Sequence, residues 1–172
     1  DHLLEWRTIF KNVTLGLEVT HQETVENITY ANKLLSDYDL YKFKDKHPGE
    51  LSGGMRQRAA LIRTLVLNPD ILLLDEPFSA LDYQTRLSVS GDIGNIIRTT
   101  GKTAILITHD LSEAISLADR VIILSARPAT VKKEVSIHLT KPDDTPLAAR
   151  SAPEFHHYFN LLWKELSHEK KS

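Results

Sequence analysis

Apolar positions along this chain fall into short blocks with distinct periods, separated by polar turns. In the first twenty residues, Trp6, Ile9, Phe10 and Val13 are spaced for a short helix or a tight connection. From Thr24 to Asp37 the positions Val25, Ile28, Ala31 and Leu35 repeat at helical spacing, and Lys42 to Gly49 breaks the pattern and reads as a loop. Ser52 and two glycines then open a run rich in Ala, Leu and Arg, Met55 to Leu67, which predicts a helix ending before Asn68-Pro69. Ile71 to Asp75 is a short apolar run, expected to be a strand buried on both faces. A helix follows over about Thr85 to Arg98, weakened by Gly91 and Gly94 at roughly 1 kcal/mol each relative to Ala. Thr103 to Thr108 and Arg120 to Ser125 predict two more buried strands, with the helical set Leu111, Ala114, Ile115 and Ala118 between them. Thr130 to Ile137 reads as an exposed edge or a hairpin, and Phe155, Phe159, Leu162, Trp163 and Leu166 mark an amphipathic terminal helix.

Strand, helix, strand, helix, strand in this order argues for an α/β fold with a parallel sheet. The 172 residues suffice for one domain with a subdomain. Three units are expected: a helical subdomain over residues 1–68, an α/β core over 69–140, and an extension with its terminal helix over 141–172. Twenty-one basic against twenty-three acidic residues give a net charge of -2, which argues against a nucleic-acid partner. Without cysteine, thiol catalysis, disulfides and zinc-thiolate sites are excluded. The apolar runs are far too short for a bilayer span, and the basic end Lys170-Lys171 is too short to argue for lipid.

Three local motifs carry chemistry. In Leu51-Ser52-Gly53-Gly54-Met55-Arg56-Gln57-Arg58, a serine and two glycines at a helix start offer free N–H groups and a helix dipole to an anion; alone, this is also an ordinary N-cap. In Ile71-Leu72-Leu73-Leu74-Asp75-Glu76-Pro77, two carboxylates end a strand where open α/β sheets bind ligands. One could hold Mg²⁺ and the other orient or deprotonate a water, although acidic turn residues are common there too. In Thr108-His109-Asp110, a histidine at the next strand end could contact a γ-phosphate or the attacking water, or simply cap.

Together, in this order, the motifs closely resemble those of the ABC transporter ATPases. Leu51–Arg58 is similar to the family signature, Ile71–Pro77 to its Walker B strand, Ser79-Ala80-Leu81-Asp82 to its D-loop and His109 to its switch histidine. The resemblance implies a partial P-loop NTPase fold of the ABC type, ATP and Mg²⁺ as cofactors, Asp75 in the metal shell, and Glu76 as catalytic carboxylate with His109 sensing the γ-phosphate. It further implies that Ser52, Gly53, Gly54 and Gln57 bind nucleotide held by a second, identical ATPase subunit, with Asp82 at the dimer interface. Transmembrane permease subunits would be direct partners and an external (periplasmic or extracellular) binding protein an indirect one. The chain would then lie peripherally on the cytoplasmic face of the membrane, docking through the helical subdomain, with Leu3, Leu4 and Trp6 read equally as exposed docking candidates or as core residues.

The family's phosphate loop, Gly-x-x-x-x-Gly-Lys-Ser/Thr, is not found among the 172 residues. Gly101-Lys102-Thr103 imitates its end, but Ile96 stands where the first glycine belongs, and the triplet follows a helix and opens a strand. It is expected to be a helix-to-strand turn with Gly101 as the C-cap. The chain, opening Asp1-His2-Leu3, is read as a fragment beginning just after the family's switch glutamine, inactive alone. Leu3 to Thr8, Leu15-Gly16-Leu17-Glu18 and Ser125-Ala126-Arg127-Pro128 resemble the nitrate, sulfonate and taurine importer branch. A soluble ABC ATPase outside transport and a non-catalytic remnant that only binds a partner are the competing readings.

Overall fold

The computed structural model describes residues 2–167, so Asp1 and the Lys170-Lys171 end lie outside it. The N-terminal layer is helical. Two five-residue helices, α1 (Ile9–Val13) and α2 (Leu15–Val19), precede α3 (Val25–Asp37) and α4 (Gly53–Leu65). Thr8, Thr24 and Ser52 cap α1, α3 and α4, each side-chain oxygen accepting a backbone N–H of the first turn. Asn12 is fully buried yet satisfied: it donates to the carbonyls of Leu4, Arg7 and Thr8 and accepts from Leu4 N–H. That network ties residues 4–8 onto α1, which packs on α4.

Beyond α4 the chain runs through β1 (Ile71–Asp75), α5 (Tyr83–Thr100), β2 (Thr103–Ile107), α6 (Leu111–Leu117), β3 (Arg120–Leu124), β4 (Val131–Ser136), α7 (Pro146–Ser151) and α8 (Phe155–Ser167). β1 and β2 pair in parallel, from Ile71 opposite Thr103 to Asp75 opposite Ile107. Gly101 takes the left-handed conformation that ends α5, with Thr103 opening β2, so the expected helix-to-strand turn is observed.

Two expectations need correction. β1 is not buried on both faces: Leu72 is fully buried, but Leu73 is 72% exposed, and Ile71, Ile105 and Ile107 are exposed with it. Helices α4 and α5 contribute to the core that covers the side bearing Leu72, Leu74, Ala104 and Leu106, and nothing among the described residues covers the other. Nor does Arg120–Leu124 extend the parallel sheet. β3 forms a separate antiparallel pair with β4, Arg120 opposite Ser136, and alternates in exposure as a one-sided hairpin does.

The apolar interior forms two clusters. The larger one joins α1 to α5 and β1, from Leu3 to Ile96. The smaller one, Ile115, Ile123, Val135, Ile137, Phe155 and Leu162, is held between α6, the hairpin and α8. α5 runs unbroken through Gly91 and Gly94, and Pro146 and Leu117 pack closely where side chains would otherwise stand. Of the three docking candidates, Leu3 is buried, Leu4 half-buried and Trp6 exposed. No described helix is long and apolar enough to cross a membrane.

Candidate functional site

Pairing β1 with β2 in register brings their carboxyl ends side by side, and with them residues 33 positions apart in sequence. Glu76 follows β1 in a left-handed conformation, φ 46°, and its N–H donates to the Ile107 carbonyl at 2.9 Å. The turn breaks strand alternation and swings the carboxylate toward the end of β2. There Glu76 Oε1 lies 2.7 Å from His109 Nδ1 and accepts the His109 backbone N–H at 2.9 Å. This hydrogen bond and the carboxylate charge raise the His109 pKa above its ordinary value. The imidazole remains 81% exposed, so an incoming group can reach it. Asp75, one residue earlier, is exposed, and its carboxylate makes no hydrogen bond or ion pair among the described residues.

The glycine-rich segment forms a second cluster. Ser52 Oγ accepts Met55 N–H at 3.3 Å, whereas the N–H groups of Gly53 and Gly54, in the first turn, have no intrahelical acceptor. Gly54 is buried against α5: a Cβ there would stand 2.8 Å from Val89 Cγ2, so only glycine lets the two helices approach this closely. The result is a cleft of about 430 Å³ whose lining includes Ser52, Gly53, Gly54, Gln57, Asp82 and Asp92. Asp82 caps α5 by accepting Thr85 N–H at 3.1 Å, and the hydrogen bonding from Thr85 lowers its pKa.

Of the eight residues singled out in the sequence, then, Asp75, Glu76 and His109 gather at the strand ends, and Ser52, Gly53, Gly54, Gln57 and Asp82 gather at the helix-lined cleft. Asp75, Glu76 and His109 do not line that cleft. Gln57 links the two, its Nε2 donating to the carbonyl of Pro77 just after Glu76. The donor set fits the chemistry: an unengaged carboxylate suits a hydrated divalent cation, and the free amides at the head of a thirteen-residue helix suit a phosphate.

Sequence reasoning passed over a polar cluster beside His109. Asp110 caps α6 by accepting Ser112 and Glu113 N–H groups, Glu113 is buried and accepts the Thr108 hydroxyl proton, and Arg86 reaches across from α5. An Asp followed three residues later by Glu, ahead of an apolar run, was the available signal. Burial raises the Glu113 pKa.

Comparisons with known proteins point to one family. Residues 1–79 match the family model described as ABC transporter. The chain is 44% identical over 171 residues to the uncharacterized ABC transporter ATP-binding protein YtlC of Bacillus subtilis, covering 99% of this chain and 66% of that protein. It is 38% identical over 160 residues to the nitrate import ATP-binding protein NrtD of Synechocystis sp., covering 91% of this chain and 60% of that one. It thus spans less than two thirds of the length of either relative. The fold is similar to the dimeric structure of a post-hydrolysis state of the ATP-binding cassette MJ0796 bound to ADP and Pi, with a TM-score of 0.61, 30% identity, and coverage of 80% of this chain and 60% of that one. A parallel pair of strands packed by helices on one face, beside a helical subdomain, matches a P-loop NTPase-like architecture, and on sequence and fold together this is an ABC-transporter ATP-binding domain related to several importer branches.

Proposed function

We propose that this chain supplies the hydrolytic carboxylate and the signature surface of an ATPase that energises an ABC importer. The pairing of Glu76 with His109 carries the reading. It sets a carboxylate and an exposed imidazole together at the carboxyl ends of parallel strands, where open α/β sheets bind ligands. Glu76 orients and deprotonates the attacking water, and His109, protonated more readily than an ordinary imidazole, donates to the γ-phosphate. Asp75 would hold Mg²⁺ through its water shell, and the ion would supply charge neutralisation at the phosphates. Ser52, Gly53, Gly54 and Gln57 face the γ-phosphate of a nucleotide held by a second copy, and Asp82 lies where the two copies meet.

The wider assembly follows from the same reading. Permease subunits dock on the helical layer, with Trp6 exposed to meet them, at the cytoplasmic face of the membrane. The cargo is a small anion such as nitrate, a sulfonate or taurine, chosen by the permease and an external binding protein. Similarity to the Synechocystis nitrate import protein supports that branch.

The 172 residues hold no Gly-x-x-x-x-Gly-Lys-Ser/Thr loop, so the chain by itself lacks several charge-assisted phosphate contacts. At roughly 1.5–3 kcal/mol each, about three of them correspond to a factor on the order of 10³–10⁶ in affinity. The isolated chain is therefore expected to show no useful ATP binding by calorimetry, and micromolar binding would contradict this. The function itself is tested in the assembled transporter. Glu76→Gln should abolish phosphate release while nucleotide still binds; turnover at the unsubstituted rate would overturn the assignment.

A further inference from the structure

Arg86 sits on the first turn of α5, four residues after the helix cap Asp82. Its Nη2 donates to the Leu81 carbonyl at 3.0 Å, on the segment that carries Asp82. On the other side, Nη1 lies 3.5 Å from Asp110 Oδ2, and Nε lies 3.8 Å from Glu113 Oε1. The same two residues hold the turn that presents His109: the Glu113 carboxylate accepts from the Thr108 hydroxyl at 2.8 Å, Thr108 Oγ1 in turn accepts the Asp110 backbone N–H at 3.0 Å, and the Asp110 carboxylate caps α6. One guanidinium thus bridges the backbone before Asp82 and the turn after His109, in a setting where Glu113 is only 4% exposed.

The bridge is unevenly closed. The contact to Leu81 has ordinary hydrogen-bond length, whereas both contacts to the start of α6 are long. Arg86 Nε is buried without a hydrogen-bond partner. A buried unsatisfied donor is costly, so the group is poised to tighten when the His109 turn moves a few tenths of an ångström toward α5. A rigid, planar fork transmits such a shift to its other contacts better than a flexible ammonium does.

We infer that Arg86 is a positioning residue that couples the Asp82 segment to the His109 turn through Leu81, Asp110 and Glu113, so that a movement at either one is felt at the other. This rests on the proposed ATPase reading for its functional meaning, but the coupling itself is a property of the chain.

Two measurements test it. In the 172-residue chain, Glu113→Gln should shift the amide resonances of Asp82 and Thr85, and the shift should vanish in an Arg86→Met background. If Arg86→Met does not fold, Arg86→Lys, which keeps the charge but loses the fork, should abolish the shift in the same way. A shift that survives the loss of the fork, or that never occurs with Arg86 present, overturns the inference. In the assembled transporter, Arg86→Lys should lower kcat about tenfold to a hundredfold with KM for ATP nearly unchanged, as expected for misplaced catalytic groups. An unchanged kcat, or a change confined to KM, counts against it. If instead the ATPase reading is wrong, turnover of the assembled transporter will be the same with and without Glu76→Gln, while the resonance experiment still decides the coupling.

Discussion

Replacing Gly54 with alanine sets two effects of opposite sign against each other. Alanine in a helix is favoured over glycine by up to about 1 kcal/mol, and less in the first turn, where Gly54 lies. Against this, the new Cβ would stand 2.8 Å from Val89 Cγ2, where carbon atoms ordinarily meet at about 3.5–4.0 Å. Val89 is 4% exposed and sits within α5, where a β-branched side chain has one strongly preferred rotamer. It cannot turn aside, so α4 and α5 must separate. Overpacking of this kind costs about 1–3 kcal/mol. The clash wins, and Gly54→Ala should destabilise the chain by about 1–2 kcal/mol net, lowering Tm by about 2–4 °C per kcal/mol. The deciding assay is urea unfolding of Gly54→Ala in two backgrounds. With Val89→Ala the obstructing methyl is gone, so the same substitution should become neutral or stabilising by up to about 1 kcal/mol. An effect of equal sign and size in both backgrounds would refute the reasoning.

His109 should stabilise the fold more at low pH. Its pKa is raised above 6.5 by Glu76, so the stabilisation is fully present below that value and is lost as pH rises through the folded-state pKa. The stability gap between the unsubstituted chain and His109→Ala should narrow across that window in denaturant titrations; a gap that widens with pH would reverse the assigned cause. Leu72→Ala should cost about 2–5 kcal/mol, while Leu73→Ala, at an exposed neighbour, should change stability by less than about 0.5 kcal/mol. Equal costs would contradict one-sided burial of β1. Leu73→Lys should also reduce self-association in sedimentation and binding of an apolar dye, since it interrupts the bare face shared with Ile71, Ile105 and Ile107; unchanged association would locate the sticky surface elsewhere.

Local signals in the sequence reached far into this fold because they act over one or two turns. Ser52 ahead of two glycines and Gly101 after a helix each fix a boundary through the hydrogen bonds of a few neighbouring residues. The juxtaposition of Glu76 and His109 was legible for a related reason, since consecutive parallel strands bring their ends together. What stayed hidden depends on remote partners. Ile71 to Leu74 is apolar throughout, so its period says nothing about which face is covered; that is set by where α4 and α5 pack. Arg120–Leu124 has the same composition as a sheet interior, and only the return of Val131–Ser136 reveals its antiparallel partner. Arg86 is one of twenty-one basic residues, with no period or motif to single it out before α5 is laid beside α6.

The backbone at Glu76 sets conformational ease against the proposed chemistry at one residue. A left-handed φ of 46° disfavours most side chains, and Asn or Gly would occupy it with less strain. Variants that discard the carboxylate therefore relax the backbone but give up its two hydrogen bonds with His109. Under the function proposed above, a screen for thermal tolerance alone is blind to the loss of this carboxylate, so it should carry a second, functional gate in the assembled transporter.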